Sequence, residues 1–309
     1  MERWLSGLRH RFRKPAGGKL PQEFKSLPLR QIGNFEPKQN KDYMAKKPSK
    51  QKNKQVPTPV VLPPEKLAWQ GALKLLQNRV FKIRSPRGHG TGFHIGNFGT
   101  DGRLCAVATA YHVVQMAHDW GEPIKLAHAE TGKEILLKEN DRAILTYVNK
   151  DLAVILFTLP ADFTLPTTSI ELIPPGSYLV PGVDIAWCGF PAVKNDKLCF
   201  FHGFISCYLD QQSDYLIDGV AIHGVSGGPA FYVDIQSNSP KIAGVVTQYI
   251  ANRATGETLP GVSMITSIAP CEETIKNLNN LNQAKKEADE QKSSPASEQA
   301  PNSDSETPK

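Results

Sequence analysis

The central part of the chain, from Val80 to about Ile268, consists of short runs of β-forming residues separated by turn residues roughly every 8–15 positions. No amphipathic helical segments alternate with these runs, as they would in a parallel α/β sheet. Short strands bury their apolar faces only when they pair and pack with others. The pattern therefore predicts an all-β fold, either a barrel or a sandwich. The clearest predicted strands are Val80–Ile83, Gly92–Ile95, Leu104–Thr109, Leu152–Phe157, Asp184–Cys188, Phe200–Cys207, Ala230–Val233 and Ile242–Tyr249.

Two predicted helices and two polar flanks border this β region. Residues 65–79 have apolar side chains at helical spacing, and Pro270 begins a second helix that ends at Leu281. The flanks lack the periodic apolar positions that a packed core needs, so we expect both to be disordered. The chain is therefore divided into a basic leader (1–64), a folded domain (65–282) and a polar tail (283–309).

Positive charge is concentrated in the leader. Residues 1–55 hold 15 Lys and Arg against 4 Asp and Glu, whereas the rest of the chain holds 21 against 26. The formal net charge of +6 thus describes the leader, which argues against a strongly basic nucleic-acid-binding fold. Contact of the leader with nucleic acid or an anionic surface stays open as an additional role.

Neither a membrane span nor a secretory signal is predicted. No apolar run approaches the roughly 20 residues that cross a bilayer, and the basic start is not followed by an apolar stretch.

The five cysteines include no Cys-x-x-Cys pair, which favours reduced, buried thiols over a disulfide framework. We expect a cytoplasmic protein. Residues 3–12 resemble the translation of a transfer-RNA gene. Two interpretations therefore stay open: either translation starts at Met44, or the leader is a genuine basic arm.

The segment Gly224-Val225-Ser226-Gly227-Gly228-Pro229 is the most informative one for function. A nucleophilic serine needs a sharply turned backbone, in which its own N–H and that of the residue two before it point at one spot. Ser226 is therefore the candidate nucleophile, and the N–H groups of Gly224 and Ser226 are the candidate oxyanion donors. Taken alone, the segment also fits an ordinary surface turn.

A serine nucleophile requires a base, because its hydroxyl is unreactive near neutral pH. Of the eight histidines, His112 follows an apolar strand whose end would deliver the ring to a cleft edge. His223 is nearer to Ser226 in sequence but lies on the same loop, so we treat it as a wall residue. Asp151 begins another apolar run and is the candidate carboxylate that orients the base. By itself, an acid before a strand is more often a turn former.

The order His112, Asp151, Ser226 resembles the chymotrypsin/trypsin clan of serine peptidases. The contexts that carry this resemblance are Thr-Ala-Tyr-His-Val, Asp-Leu-Ala-Val and Gly-Val-Ser-Gly-Gly-Pro. Over about residues 80–268, further motifs resemble the bacterial high-temperature-requirement (Deg) type more closely. These motifs are Gly90-Thr91-Gly92-Phe93, Gly182 to Pro191, Gly203-Phe204-Ile205-Ser206 and Gly244-Val245-Val246.

The resemblance implies a trypsin-like fold of two packed six-stranded antiparallel β-barrels with short flanking helices. His112 and Asp151 would come from the first barrel and Ser226 from the second. It also implies a serine endopeptidase that acts on protein or peptide substrates, in which Ser226 attacks, His112 transfers the proton and Asp151 stays ionised.

The resemblance also implies a pocket for the side chain before the cut bond. Its floor would be Val220, and its walls would lie near Thr247, Gln248 and Tyr249. An apolar floor offers no counter-charge to Lys or Arg, and Tyr249 would narrow the pocket. We therefore expect a preference for small or medium aliphatic side chains.

The sequence departs from the clan in three respects. Val225 stands where secreted digestive members have an Asp that pairs with a new N-terminus. Position 113 is Val, so the histidine-loop disulfide that is common in secreted members is absent. About 40 residues follow Ile268, too few for a PDZ-like domain.

We expect no cofactor and no metal, since no His/Cys/Asp cluster has ligand spacing. The alternative is a catalytically inactive protein-binding module, which normally carries substitutions in the triad or in the following glycines.

Overall fold

In the computed structural model the described residues are 68–99, 101–168, 170–234, 236–251 and 258–293. Within them the helices are α1 (Ala68–Gln77), α2 (Tyr111–Trp120) and α3 (Ala269–Ser293). The strands are β1 (Val80–Ser85), β2 (Gly88–Phe98), β3 (Leu104–Ala110), β4 (Ile124–His128), β5 (Glu134–Leu137), β6 (Arg142–Tyr147), β7 (Leu152–Thr158), β8 (Asp184–Gly189), β9 (Cys199–Leu209), β10 (Asp214–Asp218), β11 (Pro229–Asp234), β12 (Ser239–Ala251) and β13 (Thr258–Ser267).

Strands β1 to β7 form one antiparallel sheet. Its order is β5-β4-β1-β2-β3-β7-β6, and β3 pairs with β7 along its whole length. All residues of β3 are buried. A strand that is covered on both faces has a continuous apolar sequence instead of an alternating one, which explains the composition of β3. Helix α2 packs on this sheet through Val114 and Ala117.

Strands β8 to β13 close into a barrel of order β10-β13-β12-β11-β8-β9. Closure pairs every strand and leaves no open sheet edge. The fully buried indole of Trp187, on β8, fills part of the barrel core. A Cβ atom on Gly219 would lie 2.1 Å from Cη2 of Trp187, so a glycine is required there.

One hydrophobic cluster joins the two units. It includes Phe93 and Ala108 from the sheet together with Cys188 and Ala230 from the barrel. Helices α1 and α3 pack on the same cluster. The end of β3 is thereby fixed against the barrel, at the place where the predicted site residues lie.

The predicted all-β fold with two packed antiparallel units is confirmed, and all eight predicted strands lie within observed ones. The strand number differs in the first unit, where a seven-stranded sheet replaces the predicted six-stranded barrel. One edge of this sheet is β5, which is four residues long. A short edge strand exposes few unpaired backbone groups, so the sheet tolerates an open edge there.

The helices differ from the prediction in two places. Helix α2 was not predicted, and two residues of its first turns, Val113 and Val114, are weak helix formers. Helix α3 continues through residues 283–293, which had been assigned to a disordered tail. Its Lys, Glu, Gln and Ala favour a helix even where no apolar face is present. The leader up to residue 67 and the last part of the tail, 294–309, lie outside the described residues.

All five cysteines lie in the described part of the chain, and each thiol is free. Cys105, Cys188 and Cys271 are buried as predicted, whereas Cys199 and Cys207 are half-buried. Among the described residues, no helix combines the length and the apolar character that crossing a bilayer requires.

Candidate active site

His112 is positioned by the junction between β3 and α2. The helix begins at Tyr111. Its N-cap residue is Ala110, whose side chain forms no hydrogen bond to the N–H groups of the first turn. Unbonded N–H groups at a helix start favour a nearby acceptor, particularly an anionic one. Asp151 is this acceptor. Its carbonyl oxygen accepts the N–H of Tyr111 at 2.8 Å, and its Oδ1 accepts the backbone N–H of His112 at 2.9 Å.

The side chains of His112 and Asp151 also form a pair. Nδ1 of His112 lies 2.7 Å from Oδ2 of Asp151. An ionised carboxylate only accepts hydrogen bonds, so the ring donates from Nδ1, and a neutral ring then presents an unprotonated Nε2. The side chain of His112 is 45% exposed and that of Asp151 20%. The ring is therefore accessible to a substrate, while the carboxylate is more sheltered.

Asp151 has an unusual backbone conformation, with φ of 49° in the left-handed region, at the end of the 3₁₀ turn Val148–Lys150. Such a conformation costs a non-glycine residue on the order of 1 kcal/mol and persists where the surroundings hold it. Lys150 provides part of this hold. Its ammonium donates to the carbonyl of Gln212 and lies 3.7 Å from Oδ1 of Asp214. The turn that carries Asp151 is thus attached to the barrel at the start of β10.

Ser226 lies in a turn, before β11, that requires glycines on both sides. Gly224 has φ of 91° and Gly227 has φ of 86°. A Cβ atom on Gly227 would lie 2.0 Å from the carbonyl oxygen of Thr91 and 2.3 Å from Oγ1 of Thr109. Backbone conformation and close packing both exclude any other residue at position 227. Ser226 itself is half-buried.

The turn lies against the end of β3. A Cβ atom on Gly227 would lie 2.9 Å from the backbone nitrogen of Ala110, two residues before His112. The carbonyl oxygen of Ser226 accepts the N–H of Thr91 at 2.8 Å. The turn that carries Ser226 therefore lies at the same end of β3 as His112 and Asp151, where the sheet meets the barrel.

The N–H groups of this turn divide into bonded and unbonded ones. Within the described part of the chain, no backbone acceptor takes the N–H groups of Gly224 and Ser226. The neighbouring N–H groups donate to carbonyl oxygens, in the pairs Val225 to Ile222 at 3.1 Å, Gly227 to Val246 at 2.7 Å and Gly228 to Val225 at 2.9 Å. The two N–H groups left over are the two predicted oxyanion donors. An acyl-transfer site needs such unbonded donors close together.

Thr91 on β2 ties the turn to the first sheet, and the sequence analysis assigned it no role. Its Oγ1 donates to the carbonyl of Gly224 at 2.7 Å and accepts the N–H of Phe190 at 3.1 Å. Its N–H donates to the carbonyl of Ser226, and its own carbonyl accepts Oγ1 of Thr109 at 2.6 Å. The fully buried Thr91 therefore fixes the peptide groups that follow Gly224 and Ser226. The unbonded N–H of Ser226 lies between these two peptide groups, and that of Gly224 lies just before the first of them.

Val113 and Gly90 pack together where the histidine-loop disulfide is absent. A Cβ atom on Gly90 would lie 2.5 Å and 2.6 Å from the two γ-methyl carbons of Val113. The valine side chain thus occupies the space above the glycine. Close packing, in place of a covalent bond, holds β2 beside the first turn of α2.

The four predicted pocket residues lie on two segments, Val220 after β10 and the other three on β12. The side chain of Val220 is 49% exposed, and Gln248 is also exposed. Thr247 is buried, and its Oγ1 lies 3.0 Å from Oγ1 of Thr266. Tyr249 is part of β12, but its side chain lies outside the described residues. Their role in substrate binding stays a prediction.

His89 is a second ring beside the turn, although its sequence context gave it no role. A Cβ atom on Gly224 would lie 2.5 Å from Nε2 of His89 and 2.2 Å from the carbonyl oxygen of Phe190. Nε2 is buried and has no hydrogen-bond partner within the described residues. Burial lowers the pKa of His89, and the positive charge of Lys82 lowers it further, so the ring is neutral at pH 7. Only its position next to the Gly-Thr-Gly-Phe motif points to this placement in the sequence.

The cysteines near the site do not offer a second nucleophile. Burial raises the pKa of Cys188 and Cys271 to about 12, so both thiols stay protonated at neutral pH. The residues that the structure describes contain no group of three or more His, Cys, Asp and Glu side chains that could hold a metal ion.

The class of protein follows from comparison of the chain with known families. Residues 90–236 match the family model of the trypsin-like peptidase domain. This span includes most of β2, the strands β3 to β11, the residues His112 and Asp151, and the turn of Ser226. Over this span the chain is similar to the trypsin-like peptidase domain. The comparison with curated protein sequences gives no match.

Several solved structures are similar to this chain. Deg5 is 18% identical, with a TM-score of 0.50 over 69% of this chain and 94% of the other. The serine endoprotease from Yersinia pestis is 19% identical, with a TM-score of 0.49 over 72% and 68%. An inactive serine-to-alanine mutant of Rv3671c from M. tuberculosis H37Rv is 19% identical, with a TM-score of 0.46 over 72% and 97%. The likeness to Deg5 establishes a shared fold.

Proposed function

We propose that this protein is a serine endopeptidase that hydrolyses peptide bonds through an acyl-enzyme intermediate. The observation that carries the proposal is the pair formed by His112 and Asp151, with 2.7 Å between Nδ1 and Oδ2, at the edge where the Ser226 turn meets β3. The two unbonded N–H groups of that turn are a second support. A binding module would need neither feature.

In the proposed reaction, Nε2 of His112 takes the hydroxyl proton of Ser226 while Oγ forms a bond to the scissile carbonyl carbon. The carbonyl oxygen becomes an oxyanion, which the N–H groups of Gly224 and Ser226 bind. One such donor typically contributes about 3 kcal/mol of transition-state stabilisation. Asp151 stays ionised and stabilises the imidazolium.

The intermediate then collapses in two stages. The imidazolium of His112 gives its proton to the leaving amine, the C–N bond breaks, and the acyl group stays on Ser226. A water molecule next attacks the ester while His112 accepts its proton, and the return of that proton to Oγ releases the carboxylic acid product.

The substrates we propose are peptides and proteins with a small or medium aliphatic side chain before the cut bond. Val220 supports this proposal because it offers no charge to pair with Lys or Arg. A peptide library is expected to give cleavage after aliphatic residues. Dominant cleavage after basic residues would contradict the assignment of Val220 as the pocket floor.

A fluorophosphonate probe tests the proposed function directly, since it labels only an activated serine. The wild-type protein is expected to be labelled, and Ser226→Ala and His112→Ala are expected to abolish labelling while circular dichroism stays unchanged. Well-folded wild-type protein without labelling would instead support the inactive binding module.

The predicted contact of the leader with nucleic acid lies outside the described residues. The five free thiols support a reducing compartment, such as the cytoplasm.

A further inference from the structure

A polar cavity of about 440 Å³ lies next to the turn that carries Ser226. Its walls are the β1–β2 hairpin and the segment that follows the 3₁₀ turn Ala192–Lys194. It shares no residue with the predicted pocket around Val220. Its lining includes Lys82, Arg84, Ser85, His89, Asn195 and Asp196.

The cavity is joined to the proposed active site through His89. The ring of His89 packs against Gly224, whose N–H is one of the two proposed oxyanion donors. In the proposed function, the side chain before the cut bond points towards Val220. The chain after the cut bond then leaves past Gly224 in the opposite direction, towards His89 and the cavity.

Lys82 contributes a positive charge to the cavity wall, which the carboxylate of Asp196 offsets only in part because Asp196 also lies 3.0 Å from Nζ of Lys194. Its side chain is almost fully buried, and Nζ donates to the carbonyl of Asn195 at 2.5 Å. Within the described residues it forms no ion pair with a carboxylate. A buried ammonium is costly unless a negative group accompanies it, so an anion in the cavity would be stabilised.

The remaining charges around the cavity leave it positive. Arg84 and Lys125 share the single carboxylate of Glu134, at 3.3 Å and 3.0 Å, so one positive charge of this trio is unmatched. Asp196 is matched by Lys194 at 3.0 Å. The pKa of His89 is lowered by burial and then by Lys82 and Arg84, which reflects the same positive field. The field is suited to an acidic side chain.

We propose that this cavity binds an acidic side chain of the substrate on the leaving-group side of the cut bond. The inference rests on the proposed function, because it is the endopeptidase geometry that directs the chain past Gly224. Lys82 and Arg84 are the residues that set the preference, and the hairpin of β1 and β2 supplies the polar wall through Ser85. Glu or Asp is selected over an uncharged residue of the same shape.

Paired peptides test this preference in the active enzyme. Starting from a peptide that the enzyme cleaves, Glu and Gln are compared at each of the first three positions after the cut bond. The Glu peptide is expected to have a kcat/KM roughly fivefold higher at one of these positions, and the ratio is expected to shrink in high salt. Equal kcat/KM values at all three positions would overturn the proposal.

Variants assign the preference to the cavity. Arg84→Gln and Lys82→Gln are expected to bring the Glu/Gln ratio towards one, and Arg84→Glu is expected to favour the Gln peptide. Lys74→Gln removes a charge from the exposed face of α1 and is expected to leave the ratio unchanged. Because Arg84 is exposed, its variants fold even if those of the buried Lys82 do not. A ratio that survives in Arg84→Gln and Arg84→Glu would overturn the assignment.

Failure of the proposed function is recognised separately. In that case neither peptide is cleaved and the fluorophosphonate does not label Ser226. Binding of fluorescent Glu and Gln peptides to Ser226→Ala, followed by anisotropy, then decides the matter. Tighter binding of the Glu peptide supports the cavity assignment, and equal binding overturns it.

Discussion

The carboxylate of Asp151 accepts two hydrogen bonds from His112, one from ring Nδ1 at 2.7 Å and one from the backbone N–H at 2.9 Å. The same carboxylate therefore orients the ring and completes the first turn of α2. This dual role links the stability of the helix start to the tautomer of the ring. It also explains why Asp151 is held in a left-handed conformation that few non-glycine residues adopt.

The first prediction separates these two roles of the carboxylate. In Asp151→Asn, the side-chain oxygen can still accept the backbone N–H of His112, so the helix start is preserved. The amide nitrogen would then face Nδ1, which favours the tautomer with the proton on Nε2 and leaves no base for Ser226. We expect kcat to fall by about 10³–10⁴ with little change in KM. A loss below tenfold in steady-state assays would be incompatible with His112 as the base.

The second prediction concerns Thr91 as a positioning residue. Thr91→Val keeps the shape but removes both Oγ1 hydrogen bonds, so the carbonyl of Gly224 and the N–H of Phe190 lose their partner. We expect a stability loss of about 1–3 kcal/mol. We also expect a fall in kcat on the order of tenfold or more, with KM little changed, because the oxyanion donors lose alignment.

Thr91→Ser is the matched control, since it retains the hydroxyl and loses only a methyl group. It is expected to restore most of the fluorophosphonate labelling rate. Equal labelling rates for wild type, Thr91→Val and Thr91→Ser would mean that Thr91 has a purely structural role.

The third prediction uses the close contact between Gly90 and Val113. Gly90→Ala is expected to destabilise the protein by about 1–3 kcal/mol, because the new methyl group overlaps both γ-methyl carbons of Val113. Adding Val113→Ala removes the overlap, and the double variant should recover part of the loss in urea unfolding. Strictly additive effects of the two substitutions would show that the contact is not the cause. Gly88→Ala, with open space at its Cβ position, is the control.

The strands were predictable from sequence because local composition alone specifies them. The apolar run of β3 is continuous since the strand is covered on both faces, and this is visible without knowledge of the fold. Helix α2 was not predictable, because its start depends on Asp151, which is distant in the chain. Helix α3 was underestimated because a polar composition was interpreted as disorder, although its residues favour a helix.

In the candidate site, too, the features set by neighbouring residues were predictable and those set by distant residues were not. Ser226 and its glycines form a local turn with a recognisable sequence. His112 and Asp151 were selected from the apolar runs beside them, and the resemblance then supported both. The role of Thr91 was not visible, because its Oγ1 contacts the backbone of Gly224, 133 positions away. Backbone carbonyls carry no sequence signal, so a residue that acts through them is identified only in the folded structure.

The last prediction concerns the pH dependence of stability and rests on His94, which is fully buried on β2. Nη1 of Arg79 lies 3.3 Å from its Nδ1 and can only donate, so Nδ1 accepts and the ring proton lies on Nε2, 2.9 Å from Oδ1 of Asn97. Protonating Nδ1 would place two donors face to face. Burial, followed by the charges of Arg79 and His128, lowers the pKa of His94 to about 4, although hydrogen bonding to Asn97 opposes the shift.

Because the folded pKa of His94 is below its ordinary value of 6.5, the unfolded chain binds more protons than the folded one between pH 4 and 6.5. The stabilisation is complete above pH 6.5 and is lost as the pH falls towards 4, by on the order of 3 kcal/mol. Urea unfolding across this range should show the slope in the wild type and a smaller slope in His94→Gln. An unchanged slope in His94→Gln would show that other groups cause the pH dependence.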